Sequence, residues 1–381
     1  MILGIDAHNI RGKGGSLIHL MELLSNADPI LDNFERMIVW LNKETSKYLP
    51  QRNFIEYKIL KNRSSISSLI WQKFNLEKEA KENNCSILFF PGGIYLGNFK
   101  PFIAFAQSML PFDKNAQNLY KYTTQYWVIL AKRILMIHTF KKASSIIFVS
   151  NSIKKQIEKA VGKKTNNSKV IHHGVNERYK ITDIRLQKKE KDKINLLVVS
   201  SHALHKNLIP LVRIIGELRK ENYNIELKIV GPKVKYGTEE LLRTLDLVDP
   251  KNNFIKIITD EKYEDLPNHF NEADVFIAFS TCESFGLPLK EALVNQIPII
   301  YQKLESFDEI IEDFKPKSTC ISYEKIEIDF KQKLINLISQ KSEQNYTEIE
   351  KRHFWASSTR ETFKYIKNVA ADNVVADFSL R

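Results

Sequence analysis

AFSTCESFGLPLKEALVNQIP, Ala278 to Pro298, packs a strand end, a tight turn and a helix start into one short stretch. The apolar run Val275–Phe279 reads as a buried strand. Ser280–Leu287 is a loop with a single glycine, Gly286. Pro288 sits where a helix would begin, a position at which its missing N–H costs nothing. Leu289, Ala292 and Leu293 give that helix an apolar face. A helix start reached directly from a strand points free N–H groups and a positive dipole end past the strand's carboxyl end, which suits a phosphate or diphosphate. Glu283 lies in the loop and Glu291 eight positions later, expected in the first helical turn. Carboxylates accept hydrogen bonds from vicinal hydroxyls, so the pair suits two polyol groups on either side of a diphosphate. A first-turn helix charge and a solvated loop residue account for the same two glutamates equally well.

The same alternation extends outward. Met1–Ile5, Met37–Leu41, Ser86–Phe90, Phe102–Ala106 and Ser145–Val149 are short continuous apolar runs bounded by Pro, Gly, Asn or Ser. Ile194–Ser200, Ile225–Val230, Phe254–Ile258 and Ile297–Tyr301 repeat the pattern. Continuous rather than alternating apolar strands mark a sheet covered on both faces. Amphipathic stretches between them, such as Ser16–Leu24 and Leu208–Leu218, make it a doubly wound parallel α/β architecture. The pattern is interrupted by Glu177–Ile194, ERYKITDIRLQKKEKDKI, which is polar and reads as a linker. Two α/β domains joined in this way are expected to face a central cleft, with ligands beyond the carboxyl ends of the strands. From His353 on, the chain reads as one amphipathic helix with a polar tail.

Composition narrows the classes. In 381 residues, 43% are hydrophobic and 27% charged, which excludes a disordered, collagenous or coiled-coil chain. Lys+Arg 57 against Asp+Glu 45 leaves +12, so an acidic partner is expected: a phosphorylated metabolite, an anionic membrane or a nucleic acid. No uncharged apolar run approaches the roughly 20 residues of a membrane span, and the N-terminus carries no basic region of a secretory signal. Cys85, Cys282 and Cys320 are distant and odd in number, which suits a reducing compartment. Among nine histidines only His172 and His173 adjoin, so no metal site is expected. Zinc-finger spacing and RNA-recognition aromatics are absent and the basic residues are spread along the chain, so no nucleic acid is expected either.

ESFGLPLKE, Glu283–Glu291, resembles the E-x7-E motif of retaining GT-B glycosyltransferases of family 4. Ala273-Asp274-Val275-Phe276 before it, and Ile297-Pro298-Ile299-Ile300 after it, resemble the family's flanking strands. The resemblance implies a GT-B fold with two Rossmann-like domains: residues 1–180 binding the acceptor, 190–355 binding the nucleotide-sugar, and 356–381 a C-terminal helix and tail returning to the N-terminal domain. It implies that Glu283 contacts the transferred sugar, that Glu291 holds the ribose, and that Ser284, Phe285, Gly286 and Leu287 offer backbone N–H groups. His205-Lys206-Asn207, after a strand ending at Ser200, resembles the basic loop that clamps the leaving diphosphate. Gly14-Gly15-Ser16 followed by His19 resembles the N-terminal glycine loop, which implies Gly14 and Gly15 beside the donor and His19 on the acceptor side. His173-Gly174-Val175 resembles a turn read here as structural, and Gly231-Pro232 falls at the family's strand-end glycine loop.

Two departures stand out. The family's Gly-Arg pair reads Ser200-Ser201, which removes one positive charge unless His202 or His205 supplies it. Where many members carry an acceptor-side histidine, the stretch Phe105–Phe112 offers Gln107, which orients a hydroxyl but exchanges no proton near neutral pH. No Asp-x-Asp ends a strand beside the expected cleft, so Lys206, the Phe285–Leu287 amides and the helix dipole are expected to meet the leaving charge, with no metal and no cofactor. The implied activity is transfer of a sugar from a nucleotide-diphosphate sugar to a glycan or lipid-diphosphate-linked acceptor with retention, in cell-surface polysaccharide biosynthesis, by a cytoplasmic protein peripheral to the membrane. The alternative is a catalytically silent GT-B protein that binds nucleotide-sugars or scaffolds a complex. Lys121–Lys142, KYTTQYWVILAKRILMIHTFKK, has two readings: a core helix whose basic residues face solvent, or a helix lying against an anionic membrane surface.

Overall fold

The computed structural model describes residues 1–12, 14–32, 34–60, 64–162, 165, 167–180, 193–316, 318–339 and 348–379. They divide into two units. The first comprises 1–114, 122–174 and 351–381; the second comprises 115–121 and 175–350.

The first unit holds strands β1 (Ile2–Asp6), β2 (Arg36–Asn42), β3 (Ile55–Leu60), β4 (Ile87–Phe90), β5 (Phe102–Ala106), β6 (Ser145–Phe148) and β7 (Ser168–Val170), in the order β3-β2-β1-β4-β5-β6-β7. The second holds β8 (Ile194–Val199), β9 (Ile225–Val230), β10 (Ile255–Ile258), β11 (Val275–Ala278), β12 (Ile299–Gln302) and β13 (Cys320–Tyr323), in the order β10-β9-β8-β11-β12-β13. Every pairing among them is parallel: Leu3 lies opposite Met37 and Ile87, and Phe276 opposite Leu197 and Ile299. These are two Rossmann-like sheets, as the continuous apolar runs require. In each the strand order reverses beside the first strand, β1 or β8, where such folds bind ligands.

β3, β7 and β13 were not expected from the sequence. All three are edge strands with only partial burial, so they lack the continuous apolar run of their neighbours. The first core gathers Trp40, Leu88, Phe90, Tyr95 and Phe102; the second gathers Leu196, Val198, Ile229, Ile277, Phe279 and Phe330.

The C-terminal helix, Trp355–Ser379, packs within the first unit against the helix Gly15–Ser25 and β4. Phe363 meets Phe34 edge-on at 4.9 Å between ring centres. Gly174 lies so close to the start of this helix that a Cβ there would stand 2.3 Å from the Trp355 backbone. The Ser358 hydroxyl donates to the His172 carbonyl at 2.7 Å. The His173-Gly174-Val175 turn is therefore a packing device, as read.

Two expectations change. Residues 181–192 of the polar stretch lie outside the described residues, but Glu177–Tyr179 form a 3-10 turn of the second unit. Tyr179 is fully buried there, edge-on to Phe270 at 5.2 Å, so the aromatic ring anchors what the polar composition made look like a linker. The basic stretch forms a helix, Thr124–Lys142, with Ile129, Met136, Thr139 and Phe140 in the core. Its mid-helix cations turn inward. Lys132 reaches the Ser108 hydroxyl at 3.4 Å, and burial lowers the pKa of its ammonium group. Arg133 donates to the Pro111 carbonyl at 3.1 Å and lies over the Phe112 ring. Outside are Trp127, 70% exposed, Val128 and Ile134, with Lys141 and Lys142 at the end. Among the described residues no helix is long and apolar enough to cross a membrane.

Candidate active site

Two chain segments of the second unit converge beyond the carboxyl ends of β8 and β11. After β8, a short 3-10 turn, Leu204–Lys206, ends on Asn207, which takes the left-handed conformation at φ 58° and starts the helix Leu208–Lys220. Asparagine tolerates that conformation better than most residues, so its place there is structural as much as chemical. After β11, the loop reaches Gly286 and the helix Leu287–Val294. Thr281 ties the two together: its backbone N–H and its hydroxyl both donate to the His205 carbonyl, at 2.9 and 3.1 Å.

That tie brings Lys206 to Glu283. The ammonium and carboxylate lie 2.5 Å apart with side chains 16% and 19% exposed, shielded but reachable. They line a small cavity of about 20 Å³ with Ser200, Ser280, Gly286 and Phe307, room for about one water. Gly286 is required twice over. Its φ is +107°, and a Cβ would lie 2.4 Å from the Phe307 ring. Ser284 is partly open, while Phe285 and Leu287 are buried.

The histidines near this turn carry no charge at neutral pH. Burial, and then the neighbouring Lys206 ammonium, pull His205 down to about 3. Burial, followed by Lys233, lowers His202, whose ring nitrogens are both buried without hydrogen-bond partners. Neither replaces the positive charge that Ser200-Ser201 lacks, and Lys206 is the cation of this turn.

Glu291 departs from expectation. It is the fifth residue of its helix, beyond the first turn, and only 2% exposed. Its carboxylate faces Tyr179; burial, then that carboxylate, push the Tyr179 phenol well above its usual range. As the site stands, Glu291 is closed over by the 3-10 turn Glu177–Tyr179, and Glu283 alone of the two faces the cavity. Tyr179 was missed because it sits in a stretch whose composition is otherwise polar.

In the first unit, Gly14 and Gly15 open the helix Gly15–Ser25, and a Cβ on either would meet nothing within 4 Å. Packing within the chain does not demand glycine at either place. Gln107 donates its amide to the Pro91 carbonyl at 2.8 Å. His19, expected on the acceptor side, is instead 3% exposed in an aromatic stack with Phe105 at 4.4 Å, His173 at 4.9 Å and Trp355 at 6.0 Å. It points inward with Glu22 and Leu23, buried three and four positions further along the same helix.

Burial lowers His19 to about 3. Between that value and the unfolded value of 6.5 the unfolded chain binds the extra proton, so stability rises with pH across this window. The contribution is complete above about pH 6.5 and is lost as pH falls towards 3. His19→Phe keeps a ring in the stack and removes the proton. Urea unfolding at several pH values is expected to show a slope between pH 4 and 6 smaller by up to ~1.4 kcal/mol per pH unit. An unchanged slope would mean that His19 does not stay neutral in the folded protein.

Residues 180–360 match the family of glycosyl transferases group 1. The match covers just under half of the chain and includes the Lys206 turn, Glu283, Gly286 and Glu291. The O-antigen chain mannosyltransferase RfbU of Salmonella typhimurium is 24% identical over 179 residues, 47% of this chain and 48% of that protein. The chain thus spans about half the length of the curated relative it matches. Similar folds include Anabaena Alr3699/HepE in complex with UDP and glucose, with TM-score 0.63 and 17% identity over 99% of both chains. WaaG, a glycosyltransferase involved in lipopolysaccharide biosynthesis, has TM-score 0.65 and 13% identity over 97% of this chain and 98% of its own. At these identities the likeness is one of fold, and it identifies the GT-B architecture for the two Rossmann-like sheets.

Proposed function

We propose that the chain is a glycosyltransferase that moves a sugar from a nucleotide-diphosphate sugar to a glycan or lipid-linked acceptor, with retention of configuration. The observation that carries this is the Lys206–Glu283 pair, set beside the glycine turn that opens the helix Leu287–Val294. A lone surface pair would contribute little to stability. Here the two charges stand beyond the carboxyl ends of β8 and β11, the ammonium suited to a diphosphate and the carboxylate to a sugar hydroxyl.

On donor binding, the Lys206 ammonium is shared between Glu283 and the diphosphate, and the Phe285–Leu287 amides and the helix dipole face the same charge. The sugar–phosphate bond then lengthens with oxocarbenium character at the anomeric carbon. Negative charge builds on the departing phosphate oxygen, and Lys206 meets it without reorganisation. The acceptor hydroxyl enters on the face the phosphate leaves; its oxygen bonds to the anomeric carbon, and its proton passes to the phosphate oxygen. Glu283 accepts from a donor-sugar hydroxyl. For Glu291 to take the ribose, the Tyr179 turn must first move aside. No metal ion is required in this scheme.

A thermal-shift series with UDP-, GDP-, ADP- and dTDP-sugars tests the donor class. A saturating ligand stabilises by ~2.7 kcal/mol at a hundred times its dissociation constant, so one nucleotide is expected to stand out. The UDP complex of the similar Anabaena structure makes UDP-sugars the first choice. A flat response to all four series would remove the nucleotide-sugar assignment.

The helix Thr124–Lys142 supports an anionic membrane surface as the place of work. Its outward face shows Trp127, Val128 and Ile134, and its last turn adds Lys141 and Lys142. Tyr122 stands 94% exposed just ahead of it. Aromatic and aliphatic residues at headgroup level, with lysines alongside, favour an anionic leaflet. Flotation with phosphatidylglycerol vesicles at low salt is expected to carry the protein upward, and the double variant Trp127→Ser, Ile134→Ser is expected to stay behind. Equal flotation of both would exclude this helix as the contact.

A further inference from the structure

Asn115–Lys121 precedes the linker by more than fifty residues, yet it clusters with the second unit. Its Tyr120 is buried. The Tyr120 hydroxyl lies 2.8 Å from His205 Nδ1, and the backbone N–H groups of His205 and Leu204 face the same oxygen, opposing the upward push of burial on its pKa. These are the first amides of the 3-10 turn Leu204–Lys206, which are left without partners inside the turn.

A phenol oxygen has one proton to donate and two lone pairs. With both lone pairs taken by amides, its proton goes to His205 Nδ1. Because burial keeps His205 neutral, the single ring proton must then sit on Nε2. These three partners all belong to the turn that carries Lys206. The Thr281 contacts hold the opposite side of the same residue through the His205 carbonyl.

We propose that Tyr120 is a positioning residue: it caps the Leu204–Lys206 turn, selects the Nε2–H tautomer of His205, and thereby sets Lys206 where it meets the donor's diphosphate. The inference rests on the proposed role of Lys206 and assigns a function to a residue outside every recognised motif of the chain. Nothing in the local sequence, QNLYKY, points to it.

The test is a double-mutant cycle. Tyr120→Phe in the full chain is expected to lower kcat about tenfold, the rate equivalent of one hydrogen bond lost, with donor KM changed less than about twofold. In a Lys206→Ala background the same substitution is expected to cost less than about twofold, because residues that act through one another are not additive. An equal loss in both backgrounds, or no loss in the wild type, overturns the proposal. Full activity of Lys206→Ala alone would instead overturn the site reading beneath it.

A second measurement is independent of activity. Imidazole nitrogen NMR, with the His205 signals identified by their absence in His205→Gln, is expected to show a single Nε2–H tautomer in the wild type. In Tyr120→Phe it is expected to show a mixture. The same tautomer in both would remove the tyrosine from its role.

Discussion

Lys206→Ala is expected to lower kcat by ~10²–10³ while the fold stays intact. One preorganised charge-assisted contact to a developing anion contributes about 2.7–4 kcal/mol to a transition state. Three observations support Lys206 as that contact. It follows the first strand of its sheet, β8, at the carboxyl end where ligands of such sheets sit. Its partner Glu283 holds it at 2.5 Å, so little side-chain freedom remains to be lost when the donor arrives. The neighbouring imidazoles, His202 and His205, are held neutral and cannot compensate. Steady-state kinetics with the donor identified by thermal shift gives the number. Because the charge grows during reaction, kcat should fall more than KM rises. A variant that kept wild-type turnover would leave the leaving group without its proposed counter-charge. Lys206→Arg keeps the charge but changes its shape, and is expected to recover only part of the loss.

Gly286→Ala is expected to damage stability and donor response together. Its backbone stands at φ +107°, which costs a residue with a side chain ~1–3 kcal/mol. The added methyl would also meet the buried Phe307 ring at 2.4 Å, and overpacking of that kind costs a further ~1–3 kcal/mol. The helix Leu287–Val294 begins at this residue, so any relief of strain moves the amides proposed to face the diphosphate. Thermal unfolding is expected to show a lowered transition, and the shift with the responsive nucleotide-sugar is expected to disappear. Phe307→Leu in the Gly286→Ala background should recover part of the stability by making room, leaving the backbone strain behind. A Gly286→Ala protein with unchanged Tm and unchanged donor response would contradict both arguments.

What could be read from the sequence was local. Strands β1, β2, β4, β5 and β6 in one sheet and β8, β11 and β12 in the other announce themselves as apolar runs, because a strand buried on both faces has little polar side to show, while β9 and β10 show through their isoleucines despite the lysines between them. Pro288 and Gly286 mark a helix start that lies where they place it. Lys206 and Glu283 could be picked out because each sits in the loop just past a strand. The edge strands β3, β7 and β13 could not, since their partly buried runs mix polar residues in, whereas the edge strand β10 keeps three isoleucines in four positions.

Long-range partners were equally invisible. Tyr120 meets a histidine 85 residues away, and Tyr179 closes over a glutamate more than a hundred residues on. His19 shows the opposite failure. Its place after a glycine loop suggested ligand chemistry, while the structure buries it with Glu22 and Leu23, three and four positions on, against Phe105. In the helix Thr124–Lys142 the cations were expected outward by default. The Ser108 hydroxyl and the Pro111 carbonyl draw Lys132 and Arg133 in and leave Trp127 and Ile134 to solvent.

The most direct measurement is a crystal structure of the protein with a bound nucleoside diphosphate. The expected result is a diphosphate within hydrogen-bonding distance of Lys206 Nζ and of the amides of Phe285 to Leu287, with the Tyr179 turn displaced so that Glu291 reaches the ribose. A diphosphate bound elsewhere, with Lys206 still closed on Glu283 and the turn empty, would contradict the account.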